Sequence, residues 1–539
     1  MTAQLAALLS QAGAEAPDRV ALVDAATGRR ITWGELDDEV DRVARGFRAM
    51  GLVAGYRVVI ALTNRVEFVT TYLGALRAGL AAVPVNPRGT TGELVRLLAD
   101  CNARLVVVDR VTATSARQAV AGLEDALVGA DEELRRTTAV PRIVAVGLPA
   151  LPGETTFDVL LADSGAEVPR VRDPERLAAL LYTSGTSGRP RAAMLSHRAL
   201  LANIRQTGEV RPPMITADDV VLGVLPLFHV YGLNAVLGLV LHQRARLVLV
   251  DGFDREQTLS VVEAEGATVL PVAPPVFAHW QHVPDLGARL RGVRLVLSGS
   301  APLVPALVDD FVARTGIEVH QGYGLTETAP VVTSTLCSAA RRAKPGSVGA
   351  ALPGVELRLL DEAGRAPERG DAGEVQVRGD NLFSGYWPDG ADGPDGDGWY
   401  ATGDVGFLDP DGDLFLVDRL KELVIVSGFN VYPREVEEVV VELDEVAEAA
   451  VIGTGDPVTG EAVVAYVRSV VAQSGSAYAD ADRAELEELV REHCGARLAR
   501  FKQPTEVHVV DELPHTVTGK VAKGQLRARR RRGDAGLLQ

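Results

Sequence analysis

Residues 182–191 read Tyr-Thr-Ser-Gly-Thr-Ser-Gly-Arg-Pro-Arg, a run of hydroxyls and glycines ending in two arginines. With so little side-chain bulk, backbone N–H groups and hydroxyls (Thr183, Ser184, Thr186, Ser187) can wrap phosphate oxygens, while Gly185 and Gly188 let the chain turn. Arg189 and Arg191 supply the opposing charge. The spacing is not that of the GxxxxGK[ST] loop, and a Ser/Gly-rich surface turn has the same composition. Further along, Gln321-Gly322-Tyr323-Gly324-Leu325-Thr326-Glu327-Thr328 sets a hydroxyl beside a carboxylate. A phosphate-bound Mg²⁺ keeps most of its waters, so Glu327 alone would suffice to hold one. Ser298-Gly299-Ser300-Ala301-Pro302 closes a short apolar strand with small residues, which lets a flat ring approach the backbone; a plain turn reads the same way. Asp404, just after Gly403, could accept both hydroxyls of a ribose. His229, within Leu225–Gly232, is either a satisfied core histidine or part of an apolar pocket wall with Val230, Tyr231 and Gly232. Lys520 ends Pro514-His515-Thr516-Val517-Thr518-Gly519-Lys520, a Thr/Gly turn where an exposed lysine ordinarily serves solubility.

These residues need a scaffold, and the periodicities supply one. Thr32 and Glu35 have capping-box spacing, with Leu36, Val40, Val43, Ala44 and Phe47 following at helical intervals. Apolar runs at 58–62, 81–85, 177–181 and 293–297 read as strands, and Ser196 as the cap of another helix. Strands alternating with helices predict an α/β fold with layered parallel sheets. Residues 112–172 are less regular, and 151–170 read as a loop-rich crossing. Between 345 and 417 short alternating strands separated by Gly/Asp/Pro turns predict a small β-rich subdomain, with 388–398 a solvated acidic connection. Asp418-Arg419-Leu420-Lys421-Glu422 is a dense charge cluster of the kind found at a solvated bend or a hinge. Beyond it, strands at 449–452, 462–468 and 506–510 with a helix at 483–499 read as an independent α+β unit. The expected division is a large N-terminal domain over 1–417, a hinge at 418–422 and a C-terminal domain over 423–539.

Bulk composition narrows the class. The chain has 539 residues, 47% hydrophobic and 24% charged, which fits a soluble multi-domain protein. Its net charge of −17 argues against general nucleic-acid binding. The three cysteines have neither metal spacing nor a disulfide pattern, so a cytoplasmic setting is expected. The apolar window 220–241 contains Pro226, His229 and Asn234 and reads as buried core, so no integral membrane segment is expected. The Arg-rich tail at 527–532 reads as a solvated run, with peripheral contact to an anionic membrane surface or to ligand phosphates as the alternative. Oligomeric state is not readable.

Taken in order, the motifs at 182–191, 225–232, 298–302, 321–328, 400–404 (Tyr-Ala-Thr-Gly-Asp), 418–438 and 514–520 resemble those of the adenylate-forming (AMP-binding) superfamily, in its acyl-CoA synthetase branch. The resemblance spans nearly the whole chain and implies ATP, Mg²⁺ and coenzyme A as cofactors. It implies that a small carboxylic acid attacks the α-phosphorus of ATP, and that a thiol then displaces AMP. By resemblance, 183–191 holds the β- and γ-phosphates, and Glu327 with Thr183 or Thr186 places Mg²⁺. Ser300–Pro302 and Gln321–Gly324 flank the adenine. Asp404 holds the ribose, with Arg419 nearby. Lys520, His229, Thr326 and Glu327 are the implied catalytic residues. Lys421 is the implied hinge of a mobile C-terminal domain, which brings Ser427, Gly428 and Phe429 to the thioester step, and Gly324 joins the substrate pocket. The chain departs from the family at Pro190-Arg191-Ala192, where Pro-Lys-Gly is usual. A medium- or long-chain fatty acid is the expected substrate, with an aryl acid of the coumarate or benzoate type, or loading of a carrier protein, as alternatives.

Overall fold

A computed structural model describes residues 4–128, 138–162, 168, 172–183, 190–301, 303, 305–339, 343–361, 363–368, 371–419, 422–426, 429–456, 460–470, 480–498, 500–516 and 519–534. The chain divides into two compact units. The first holds most of the chain up to Glu356 together with Arg378–Tyr400; the second holds Leu357–Val377 and the chain from Ala401 onward. The β-rich stretch expected at 345–417 is therefore shared between them.

The first unit is built on two sheets. In the nine-stranded sheet, Val319–Gly324, Leu295–Ser298, Val269–Val272, Val220–Gly223, Arg246–Leu249 and Val20–Asp24 are parallel neighbours in that order. Antiparallel strands close its edges. The seven-stranded sheet is parallel up to Leu177–Thr183, against which Arg191–Ser196 runs antiparallel. Strands of this kind carry near-continuous Val/Leu/Ile runs because both of their faces are covered, and the runs read from the sequence match them. Helix Trp33–Ala49 forms as the pattern requires: Thr32 and Glu35 close a capping box, and Leu36, Val40, Val43, Ala44 and Phe47 are all buried. Burying each large side chain is worth about 1.5–3 kcal/mol, so this one stripe anchors the helix.

Two segments differ from the sequence expectation. Ala113–Val128, within the stretch read as irregular, is a helix that buries Ala116, Ala119, Leu123 and Leu127. Phe157–Ala162, inside the expected loop crossing, is a short helix. Small alanines make a weak apolar stripe, which is why the first was hard to read.

The second unit carries a sheet in which Val446–Asp456 and Gly460–Ser469 pair antiparallel and Glu506–Val510 adds in parallel. Val451, Val463, Ala465, Val490 and Val507 fill its core against helix Asp480–Arg497. No helix among the described residues is long and apolar enough to cross a membrane.

One buried histidine ties stability to pH. His197 follows the Ser196 cap, whose hydroxyl accepts the Ala199 N–H at 3.2 Å. Its ring is buried, and Nδ1 accepts the Leu5 N–H at 3.4 Å. Burial, then the charge of Arg176, push its pKa from 6.5 down to about 4. The unfolded chain takes up the proton first, so stability present above pH 6.5 is lost as pH falls towards 4, by about 3 kcal/mol in full. Urea midpoints measured at neutral pH and near the lower value should fall steeply for the wild type and much less for His197→Gln. Equal losses in both proteins would remove His197 as the source.

Candidate active site

The strand Leu177–Thr183 leads into residues 184–189, and Arg191–Ser196 leads out, with Thr183 and Arg191 as partners across the hairpin. Ser184, Gly185, Thr186, Ser187, Gly188 and Arg189 lie outside the described residues. Thr183 donates its hydroxyl to the Arg191 carbonyl at 3.3 Å. A second strip of chain runs along the outgoing strand: Ser384 N–H reaches Met194 O at 2.9 Å, Met194 N–H reaches Gly385 O at 3.0 Å and Trp387 N–H reaches Ala192 O at 2.9 Å. This strip delivers Tyr386. The Arg191 guanidinium lies 3.7 Å over the Tyr386 ring and pairs with Asp392 at 2.7 Å.

Tyr386 connects the hairpin to the acidic motif. Its hydroxyl donates to Glu327 Oε1 at 2.5 Å, and Phe383 N–H donates to the Glu327 carbonyl at 2.9 Å. Burial, then the Glu327 charge, push the Tyr386 hydroxyl well above its ordinary value, which keeps it a donor. Glu327 sits buried on a 3₁₀ turn, Thr326–Thr328. Three buried amides hold that turn. Asn381 Nδ2 donates to Thr328 O at 2.8 Å, Asn234 Nδ2 to Ala329 O at 2.7 Å and Asn203 Nδ2 to Val331 O at 2.7 Å. Asn203 Oδ1 also accepts the Val331 N–H at 3.0 Å. Gly324 is required by close approach, since a Cβ there would fall 1.9 Å from Pro330 O.

The residues present fit a hard divalent cation held mainly by substrate oxygens. Among the described residues Glu327 Oε2 has no partner, and no group of three His, Cys, Asp or Glu could form an all-protein cage. Mg²⁺ suits one carboxylate, waters and phosphate oxygens, and Glu327 would supply the carboxylate.

Beside this turn, Ser298 and Gln321 are in register on neighbouring parallel strands, so Ser300, Ala301, Gly322 and Tyr323 all leave the same carboxyl edge of the sheet. That edge is where open α/β sheets bind ligands. Ser300 adopts a φ of 78°, and Pro302 lies outside the described residues. Among the described residues the buried Ser298 hydroxyl has no hydrogen-bond partner. Across the edge stands Tyr231, at the start of a π-helix over Tyr231–Gly238. Its hydroxyl donates to Leu297 O at 3.3 Å, and a Cβ on Gly299 would meet its ring at 3.1 Å. Burial pushes its hydroxyl pKa up. The Tyr231 N–H donates to His229 Nδ1 at 3.3 Å, and Val230 and Gly232 are buried beside them. Within the first unit the structure links Arg191 to Glu327 through Tyr386, and His229 to Gly299 through Tyr231.

The second unit places the remaining residues. Asp404 is buried on Trp399–Leu408, its N–H donating to Thr402 Oγ1 at 3.1 Å, with Arg419 its partner residue on Leu414–Arg419. Lys421, Ser427 and Gly428 lie outside the described residues, while Phe429 begins the strand Phe429–Val431. Lys520 is exposed on a turn in which Thr516 N–H reaches Lys520 O at 2.7 Å and Lys520 N–H reaches Thr516 Oγ1 at 3.1 Å.

Residues 9–387 match the family described as AMP-binding enzyme, and residues 435–520 match the AMP-binding enzyme C-terminal domain. The chain belongs to the AMP-binding enzyme family. This adenylate-forming enzyme is 32% identical to a 4-coumarate–CoA ligase of Oryza sativa subsp. japonica, over 96% of the chain and 90% of that ligase. It is 30% identical to a long-chain-fatty-acid–CoA ligase of Bacillus subtilis, over 97% of the chain and 94% of the relative. Among solved structures, ATP-bound MatB from Rhodopseudomonas palustris matches at 33% identity with a TM-score of 0.84, covering 98% of this chain and 99% of that one.

Sequence reasoning did not single out Tyr386 or the three asparagines around the Glu327 turn. Each acts through a contact far away in sequence. The nearest signal was the Gly385-Tyr386-Trp387 triplet, whose aromatics interrupt an otherwise polar, turn-rich stretch.

Proposed function

We propose that this AMP-forming acid–thiol ligase couples an aryl-substituted carboxylic acid, of the cinnamate or benzoate type, to coenzyme A. In the first step a carboxylate oxygen attacks the α-phosphorus of ATP, the bond to pyrophosphate breaks, and an acyl-adenylate forms. In the second the CoA sulfur attacks the acyl carbonyl and AMP leaves. Like charge opposes the first attack, so fixed cations and donors must offset it. In this reading residues 183–190 and Lys520 supply them, Glu327 holds Mg²⁺, and Asp404 takes the ribose hydroxyls. Residues 418–422 act as the hinge that lets the C-terminal unit serve both steps.

The observation that carries the aryl assignment is Tyr231. Its hydroxyl is tied to Leu297 O and its ring lies on Gly299, so a rigid, flat apolar wall stands beside the carboxyl edge of the sheet. Such a wall stacks a planar ring with offset geometry. The apolar segment around 225–241 favours a second reading, an alkyl chain of a fatty acid.

Acid-dependent ATP–pyrophosphate exchange over cinnamates, benzoates and C6–C16 fatty acids separates the two, followed by CoA-dependent AMP release. Aryl acids should show the highest kcat/KM, and Tyr231→Ala should lower it about tenfold for them, consistent with losing roughly one aromatic stacking contact. A wild-type preference for long alkyl acids would overturn the aryl reading.

A further inference from the structure

The departure at Arg191 has a structural counterpart. Arg191 leaves the phosphate hairpin, yet its guanidinium carbon lies over the Tyr386 ring, 3.7 Å from the centroid, and Nη2 is paired with Asp392 at 2.7 Å. Tyr386 is held in turn by its main chain, through bridges to Ala193 and Ala391 and an N–H bond to Ala391 O at 2.9 Å. Its ring meets Phe383 edge-on, with centroids 5.1 Å apart and planes at 78°. The hydroxyl then reaches Glu327 Oε1. One chain of contacts therefore runs from the exit of the phosphate hairpin to the metal-binding carboxylate.

We propose that Arg191 and Tyr386 are positioning residues for Glu327, and that Arg191 is not a phosphate ligand in this protein. A carboxylate on a glutamate turns freely about its last torsion, because that sp³–sp² rotor is broad. A hydroxyl donating to Oε1 fixes the plane and leaves Oε2 aimed at the cation. Arginine serves here better than the usual lysine because a planar guanidinium covers an aromatic face and still has an edge for a carboxylate. The inference rests on Glu327 as the metal ligand, as proposed above.

The test uses the full-length enzyme and two equilibrium measurements: Mn²⁺ binding by electron paramagnetic resonance in the presence of ATP, and ATP binding by calorimetry without divalent metal. Tyr386→Phe keeps the ring and its stacking but removes the hydroxyl. It should weaken Mn²⁺ binding about tenfold, the order expected for a hydrogen bond to a charged group, with metal-free ATP affinity held within about twofold. Arg191→Gln should do the same, and the double variant should be no worse than either single one, because both act through the same carboxylate. Glu327→Gln is the control for the underlying assignment. If Glu327→Gln leaves Mn²⁺ affinity unchanged, the metal-ligand reading fails and the inference with it. If Glu327→Gln weakens Mn²⁺ but Tyr386→Phe does not, the inference alone fails. A tenfold loss of metal-free ATP affinity in Arg191→Gln would show residue 191 gripping phosphate and overturn it.

Discussion

Replacing Lys520 with alanine is expected to lower acid-dependent ATP–pyrophosphate exchange about a hundred- to a thousandfold, the usual cost of removing one charge-stabilising group from a polar transition state. Thioester formation from supplied acyl-adenylate should remain within about twofold. The split follows from electrostatics. Only the first half-reaction brings a carboxylate against a polyphosphate, so only there does a point charge offset growing negative charge. The local structure makes the substitution clean. Gly519 takes the left-handed φ of 81° that the turn requires, and Thr516 bonds both the N–H and the carbonyl of residue 520. Alanine preserves those main-chain contacts, and the side chain it replaces is exposed. Equal losses in both half-reactions would mean that Lys520 acts on the fold or on nucleotide binding and not on adenylation.

The contrast between Lys520 and Tyr386 shows what a single sequence can carry. Lys520, Glu327 and Asp404 lie in compact local patterns of glycine, hydroxyl and charge, whose chemistry is legible from a few neighbours. The caps at Thr32 and Ser196 are local too, and the structure has them where the spacing puts them. Tyr386 acts on a carboxylate 59 residues away, and Asn203 holds a loop 128 residues away. Nothing near either residue reports that contact. An isolated amide in an apolar helix looks like a tolerated polar residue until the carbonyl it satisfies is known. The π-helix at Tyr231–Gly238 was illegible for a different reason: a wider turn leaves almost no trace over eight mostly apolar positions. Local patterns are readable, whereas the distant contacts that hold their residues in place depend on the tertiary fold.

Lys523 likewise acts through partners distant in sequence, and its replacement should have the largest effect on stability. Its Nζ lies 2.8 Å from Glu437 Oε1 and 2.9 Å from Glu422 Oε2, with side-chain exposures of 12%, 19% and 25% for the three residues. Glu437 Oε1 also accepts the Val451 N–H at 2.7 Å, which ties the cluster to the central sheet of the second unit. Burial lowers the Lys523 pKa, but the two carboxylates more than offset this, so the net shift is upward and the ammonium stays charged at neutral pH. Lys523→Met leaves two carboxylates facing each other with little solvent, and breaking such a site costs about 3–5 kcal/mol. The loss should appear as a lower urea midpoint. Adenylation should fall with it, because Lys523 opens helix Lys523–Asp534 immediately after the Lys520 turn and that helix docks through buried Leu526. The triple variant Lys523→Met/Glu422→Gln/Glu437→Gln removes the stranded charges along with the cation and should recover a substantial part of the stability. Recovery would place the cost in uncompensated charge. If instead Lys523→Met has a wild-type midpoint, the three groups are solvated enough to act independently, and the cluster does not hold the lysine turn in place.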